Sequence, residues 1–144
     1  MERINIFRVL LAGLIASVAF IIIEFIFEGI ASLAFGFNEA ELAKQYFPDI
    51  ILSGTRYQII NVIYLISTCT FTVWLYAALL PKFGSGPKTA IIAGLVLIAL
   101  IVLFLVNQIN MGIYPLKPAL LSLIFGIIEF PLSIVAGATF YKVG

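Results

Sequence analysis

The sequence contains no histidine, one cysteine and few charged side chains, and each shortage excludes a class of function. Without histidine the chain lacks the usual axial ligand of haem, the commonest transition-metal ligand and the default general base. Hydrolytic nucleophiles and di-iron bundle sites lack their partner residue for the same reason. We therefore expect no enzyme activity, no metal and no cofactor from this chain alone. The single cysteine, Cys69, permits no internal disulfide and is expected to be a small core residue.

Charge is also scarce. The net charge is +1 and no basic run occurs, so nothing in the sequence attracts nucleic acid. Charged residues are 10% of the chain and hydrophobic residues 63%, with a mean hydropathy of +1.20. Soluble domains have roughly 45–50% apolar and about 25% charged residues. This composition predicts an integral membrane protein.

The apolar runs predict one all-α domain over residues 1–144, a four-helix antiparallel membrane bundle with up-down-up-down topology. The runs are solid rather than alternating, which favours spanning helices over barrel strands. We expect spans over about residues 6–35, 57–80, 89–111 and 119–141. A glycine- and proline-rich turn over residues 81–88 should join the second and third spans as a hairpin.

Lysine and arginine placement predicts the orientation. More basic residues fall on the side of the two termini and the 81–88 turn, so both termini are expected in the cytoplasm, in a bacterial inner membrane. The only long loop, residues 37–56, is then outside. There Asn38 is expected to cap a short amphipathic helix that ends before Pro48. Its apolar side would carry Leu42, Tyr46 and Phe47.

A weak internal repeat accompanies the hairpins. Residues 8–14 resemble residues 88–95 at the start of the first and third spans, and residues 74–77 resemble 139–142 at the end of the second and fourth. Such a pattern fits a parallel duplication of one helical hairpin. Chance similarity between apolar segments remains the alternative.

Three glutamates lie inside the predicted spans, and intramembrane ionisable groups are functional candidates by default. At about 100° per residue, each of two spans carries its polar residues on a narrow stripe with small residues. The stripe of the first span holds Gly13, Ser17, Glu24, Glu28 and Ala31. The stripe of the fourth span holds Ser122, Gly126, Glu129, Ser133 and Ala136. Small residues allow close approach and polar residues face protein, so we expect these stripes to meet or to share a cavity.

Depth places two of these carboxylates together. At about 1.5 Å per residue, Glu24 lies about 24 Å beyond Arg8, and Glu129 lies about 20 Å inside Lys142. Two such carboxylates in a low dielectric do not both stay ionised cheaply, so at least one is expected to carry a proton. By the same count a polar layer lies nearer the outer interface and forms an outward vestibule. That layer contains Glu28, Asn61, Asn107 and Asn110.

Several short motifs resemble a group of small bacterial four-span membrane proteins that has no assigned activity. Recurrent features of that group are an early Arg-Val-x-x-Ala-Gly, matched by residues 8–13, and a late glutamate in the first span, matched by Glu24. The other matching segments are residues 74–77, 81–90, 129–131 and 137–142. The long outer loop and the third span lie outside the resemblance. It implies a bacterial four-helix membrane protein and no mechanism.

Two functions remain open from the sequence. The first is an accessory or structural subunit that packs against lipids, pigments or other membrane proteins, or forms a homo-oligomer; its glutamates would hydrogen-bond across helices. The second is a small transporter or proton- or cation-linked carrier that uses Glu24 and Glu129. A subunit should keep its carboxylates mutually bonded, whereas a carrier should keep them around a cavity.

Overall fold

The computed structural model describes residues 4–36, 38–49 and 54–141. All secondary structure in these ranges is helical, which confirms the all-α fold. The helices are α1 (Ile6–Phe35), α2 (Glu39–Tyr46), α3 (Thr55–Phe83), α4 (Pro87–Asn110) and α5 (Leu116–Phe140). Four of them, all except α2, are long and apolar enough to cross a membrane, as in an integral membrane protein. Phe37, residues 50–53 of the predicted outer loop, and the basic residues Arg3 and Lys142 lie outside the described ranges.

The four long helices form a ring in which α1 packs against α3 and α5, and α4 packs against the same two helices. The contacts between α1 and α5 show that residue numbers increase in opposite directions along the two helices. Gly137 lies against Ala12, whereas Phe130 lies against Phe20. These two helices are therefore antiparallel, as the predicted up-down-up-down topology requires.

The turn between α3 and α4 is shorter than predicted. Pro81 was expected to end the helix, but α3 continues through it to Phe83. A proline in the last turn costs one backbone hydrogen bond only, so it is tolerated there. The turn is made by Gly84 and Gly86, whose φ angles of 76° and 137° favour glycine, and Pro87 then begins α4.

The packed core occupies one half of the bundle. This half contains the chain segment before α1, the α3–α4 turn and Tyr141, and we call it the terminal end. The opposite half, the α2 end, contains α2 and the α4–α5 loop. The core cluster draws its members from the terminal halves of the four long helices. They are Val9, Ala12, Ala16, Cys69, Val73, Tyr76, Ala77, Ala90, Ala93, Ile134, Ala138 and Tyr141.

Small residues allow the helices of this core to approach closely. A Cβ added at Gly137 would lie 2.6 Å from the carbonyl oxygen of Ala12 and 2.8 Å from the Cβ of Ala16. A Cβ added at Gly13 would lie 2.6 Å from the Cα of Thr70 on α3. Such approaches are typical of membrane helix interfaces, where packing rather than water exclusion holds helices together.

The structure contains equivalent contacts in the two hairpins. Gly13 of α1 lies against Thr70 of α3, and Gly94 of α4 lies against Pro131 of α5. The buried positions Val9, Ala12 and Ala16 are matched by Ala90, Ala93 and Leu97. The match of α1 with α4 is the register expected from the sequence repeat. The glycine contacts pair Thr70 with Pro131, whereas the sequence match of 74–77 with 139–142 pairs Thr70 with the residue four positions later.

Candidate functional site

A cavity of about 160 Å³ lies between α1 and α5, and three carboxylates line it. Glu24 and Glu28 come from α1, one helical turn apart, and Glu129 comes from the antiparallel helix α5. The rest of the wall is aromatic or small. It consists of Phe20, Ala31, Ser122, Phe125, Gly126 and Phe130.

Burial distinguishes the three carboxylates. Glu129 is 6% exposed and belongs to the interior of the bundle, whereas Glu24 and Glu28 are exposed. Gly126 lies one turn from Glu129 on α5, where the lack of a side chain leaves room between the helices. The cavity therefore has one deep carboxylate on α5 and two accessible ones on α1.

An aromatic pair forms the floor of the cavity. The ring centroids of Phe20 and Phe130 are 4.7 Å apart, with a tilt of 45° between the rings. Beyond this pair, toward the terminal end, Gly137 packs directly against Ala12 and Ala16. The packed core therefore separates the carboxylates from the terminal end of the bundle.

On its other side the cavity leads toward the α2 end. Glu28 also lines a second pocket of about 280 Å³, together with Ser32 and Asn38. Asn38 is the N-cap of α2, and its side-chain oxygen accepts a hydrogen bond from the backbone N–H of Glu41 at 3.1 Å. Glu28 therefore lines both the carboxylate cavity and the pocket at the start of α2.

Ser17 and Ser133, expected on the same polar stripes, are not part of the cavity lining. Both are buried in the packed half, at 3% and 0% exposure. Each hydroxyl donates to a carbonyl of its own helix, Ser17 to Gly13 and Ser133 to Phe130, both at 2.8 Å. Serine in an apolar helix commonly satisfies its hydroxyl in this way and then needs no partner across the interface.

The structure does not bring the asparagines of the predicted vestibule to the carboxylate cavity. Asn61, Asn107 and Asn110 are exposed and do not line the carboxylate cavity. Asn107 instead directs its amide toward the sulfur of Met111, at 3.8 Å. Residues of different helices that lie at the same depth along the membrane normal do not meet unless their side chains also point toward each other. Of the predicted layer, only Glu28 lines the cavity that also contains Glu24 and Glu129.

A larger cavity, next to the carboxylate cavity, was not expected from the sequence. It has a volume of about 620 Å³ and lies beneath α2, against the α4–α5 loop and the start of α5. The rings of Phe47 and Tyr114 contact each other in its wall, with centroids 5.4 Å apart and a tilt of 40° between them. The apolar side chains predicted for α2, Leu42, Tyr46 and Phe47, all line this cavity. The predicted apolar side of α2 was the one feature of the sequence that indicated this cavity.

Within the part of the chain that the structure describes, the charged side chains that line these cavities are carboxylates: Glu24, Glu28, Glu129 and, beneath α2, Asp49. Inside a membrane, where the dielectric is low, such an array favours an occupant with positive charge or with hydrogen-bond donors. Within residues 4–36, 38–49 and 54–141, no three His, Cys, Asp or Glu side chains form a group that could hold a metal ion.

The fold and the cavity define an all-helical protein with four candidate membrane spans and a carboxylate-lined cavity between the first and last of them. No protein family, curated protein or solved structure that was compared with the chain matches it.

Proposed function

We propose that the protein is a small membrane carrier for protons or other monovalent cations, with Glu24 and Glu129 as its binding site. The observation that supports this proposal is the placement of three carboxylates around one cavity, between the packed core and the α2 end. Carboxylates gathered around a cavity are what a carrier of protons or cations requires.

The three glutamates take different roles in this proposal. Glu129, the buried carboxylate, binds the cation or proton. Glu24, on the facing helix, contributes a second carboxylate to the same binding site. Glu28 adjoins the pocket at the start of α2 and passes the cation inward. Paired acidic residues are common components of intramembrane proton and cation pathways.

Orientation gives the direction of access. With the termini in the cytoplasm of a bacterial cell, as the basic residues favour, the α2 end and the carboxylate cavity face outward. The Phe20–Phe130 pair and the contact of Gly137 with Ala12 then close the inner side. A transport cycle requires a second state in which α1 and α5 separate below the carboxylates.

Proton flux into liposomes tests this proposal. The purified full chain is reconstituted with a trapped pH indicator, and a potassium gradient with valinomycin drives the flux. We expect the wild type to acidify the lumen faster than empty liposomes do, and both Glu24→Gln and Glu129→Gln to abolish the difference. Glu41→Gln is the matched control, because Glu41 is an exposed glutamate of α2 outside the cavity lining. Equal flux in wild type and both variants contradicts the proposal.

The second candidate function is that of a subunit of a larger membrane complex or homo-oligomer, and one observation favours it. Residues 58–64 of α3 are all exposed, so none of the other helices that the structure describes covers this segment. It includes the polar side chain of Asn61, and a polar group in a spanning helix usually finds a protein partner. Extraction in a gentle detergent, followed by sizing and mass spectrometry, tests this role. Copurification in a fixed ratio with other subunits supports it, and a lone monomer contradicts it.

A further inference from the structure

The large cavity beneath α2 and the carboxylate cavity are neighbours. Ser122 and Phe125 of α5 line both of them, so the two volumes share a wall one helical turn long. The larger cavity is mainly apolar and aromatic, and the smaller one carries the glutamates. Together they form an elongated space with an apolar end and an acidic end.

Helix α5 provides the scale of this space. Pro118 lines the apolar end, Ser122 and Phe125 lie at the junction, and Glu129 lies at the acidic end. At 1.5 Å per residue, Pro118 and Glu129 are about 16 Å apart along the helix axis. The cavity of about 620 Å³ has the size of sites that bind drug-sized molecules, which are roughly 300–1,000 Å³.

We propose that this combined space binds a lipophilic organic cation, with its apolar body beneath α2 and its positive charge directed toward Glu129 and Glu24. This inference rests on the proposed function, because it specifies the cation that the carrier takes. Charge complementarity favours this occupant: among the described residues, every charged side chain that lines the two cavities is a carboxylate, which disfavours fatty acids and anionic lipids. The aromatic rings beneath α2 add cation–π attraction along the way.

Two aromatic residues are well placed for that attraction. Phe47 follows α2 and Tyr114 precedes α5, and their rings, with centroids 5.4 Å apart, line the apolar end. Helix α2 covers the apolar end, because its residues Leu42, Ala43 and Tyr46 line it. A lipophilic cation already dissolved in the interfacial region reaches the space beside α2 without crossing water.

The test compares two probes of the same shape and opposite charge, tetraphenylphosphonium and tetraphenylborate. Binding to the detergent-solubilised full chain is measured by equilibrium dialysis, with protein-free micelles as the blank. We expect saturable binding of the cation and none of the anion above the blank. Equal binding of both probes, or no saturable binding of the cation, overturns the inference.

Variants locate the probe within the space. Glu129→Gln should weaken cation binding about tenfold or more, the loss expected when a buried ionic partner is removed. Phe47→Ala should weaken it about threefold, as for the loss of one aromatic contact. The matched controls, Glu41→Gln and Phe104→Ala, remove the same groups outside both linings and should leave binding unchanged. Unchanged binding in both cavity variants overturns the inference.

The combined measurements separate this inference from the proposed function. Glutamate-dependent proton flux without saturable phosphonium binding leaves a proton carrier and removes the organic cation. Phosphonium binding that depends on Glu129 and Phe47, in a protein without any cation or proton flux, leaves the binding site and removes the carrier.

Discussion

The α1–α5 face of the bundle and the α3–α4 face are counterparts when the two hairpins are aligned, but they differ in chemistry, and α1 and α5 pack together more extensively than α3 and α4. Aligning the hairpins on their two glycine contacts matches Glu129 with Thr68, Glu24 with Leu105 and Glu28 with Ile109. The carboxylate cavity lies on the first face alone. On the second face, the hydroxyl of Thr68 donates to the carbonyl of Tyr64 in its own helix, at 2.8 Å.

The difference shows which positions serve packing and which serve the site. Buried small or apolar residues recur at matched positions on α1 and α4, where either hairpin needs close contact. The glutamates do not recur. Because an ionisable group in a membrane is costly, its presence on one face only separates a functional requirement from a folding requirement.

The largest expected effect comes from placing a carboxylate on the second face. Thr68→Glu puts an acid at the position that matches Glu129, in the middle of α3 and opposite apolar side chains. We expect the free energy of unfolding, measured by titration from mild detergent into sodium dodecyl sulfate, to fall by about 2.5 kcal/mol. Thr68→Val is the control and should change it little. An equally stable Thr68→Glu protein contradicts the distinction between the faces.

A smaller loss is expected where α1 and α5 approach most closely. A Cβ in Gly137→Ala meets the backbone oxygen of Ala12, which has little freedom to move. We expect destabilisation of about 2 kcal/mol in the same titration, the middle of the range for an overpacked contact. Gly29→Ala provides the control, since a Cβ there meets nothing within 4 Å, and alanine favours the helix. If Gly137→Ala is as stable as Gly29→Ala, the close contact does not hold the two helices together.

Removal of the α2 cap makes the first face more like the second, which has no such covering helix. Asn38→Ala deletes the oxygen that accepts from the backbone N–H of Glu41. The loss should be about 1 kcal/mol and confined to α2, so backbone amides of α2 should exchange with deuterium faster than in the wild type. Asn38→Asp keeps an accepting oxygen and should retain the protection. Unchanged exchange in Asn38→Ala contradicts the role of the cap.

The smallest effect is expected at a matched pair of hydroxyls. Ser133 on α5 corresponds to Thr72 on α3, and each donates to a carbonyl of its own helix at 2.8 Å. Ser133→Ala and Thr72→Val should each change stability by about 0.5 kcal/mol or less. A much larger loss at Ser133 alone indicates that its hydroxyl supports the carboxylate cavity, and proton flux of the same variant then checks this.

Long apolar runs made the four spans predictable, because few alternatives exist for segments of that length in lipid. The prediction that the polar stripes of the first and fourth spans meet holds for Glu24, Glu28 and Glu129. It does not hold for Gly13, which lies on the same stripe but packs against Thr70. The reason is that α1 packs against both α3 and α5. A stripe calculated at about 100° per residue does not show which of these two helices each turn of α1 contacts.

The cavity beneath α2 could not be predicted from the sequence, for a different reason. Leu42, Tyr46 and Phe47 were recognised as an apolar side, but their partners come from the α4–α5 loop and the start of α5, far away in the chain. Tyr114 looked like any aromatic residue at a membrane interface. Only the ring closure of the bundle, which sets α5 beside α1, brings these segments together.

Cys69 gives the protein a built-in reporter of its own movement. It is the only cysteine in the chain, and it is fully buried in the packed half. A small thiol reagent reaches this sulfur only when the terminal half loosens. The rate of its modification therefore measures how often the bundle opens beyond the aromatic floor, in unmodified protein and without any introduced label.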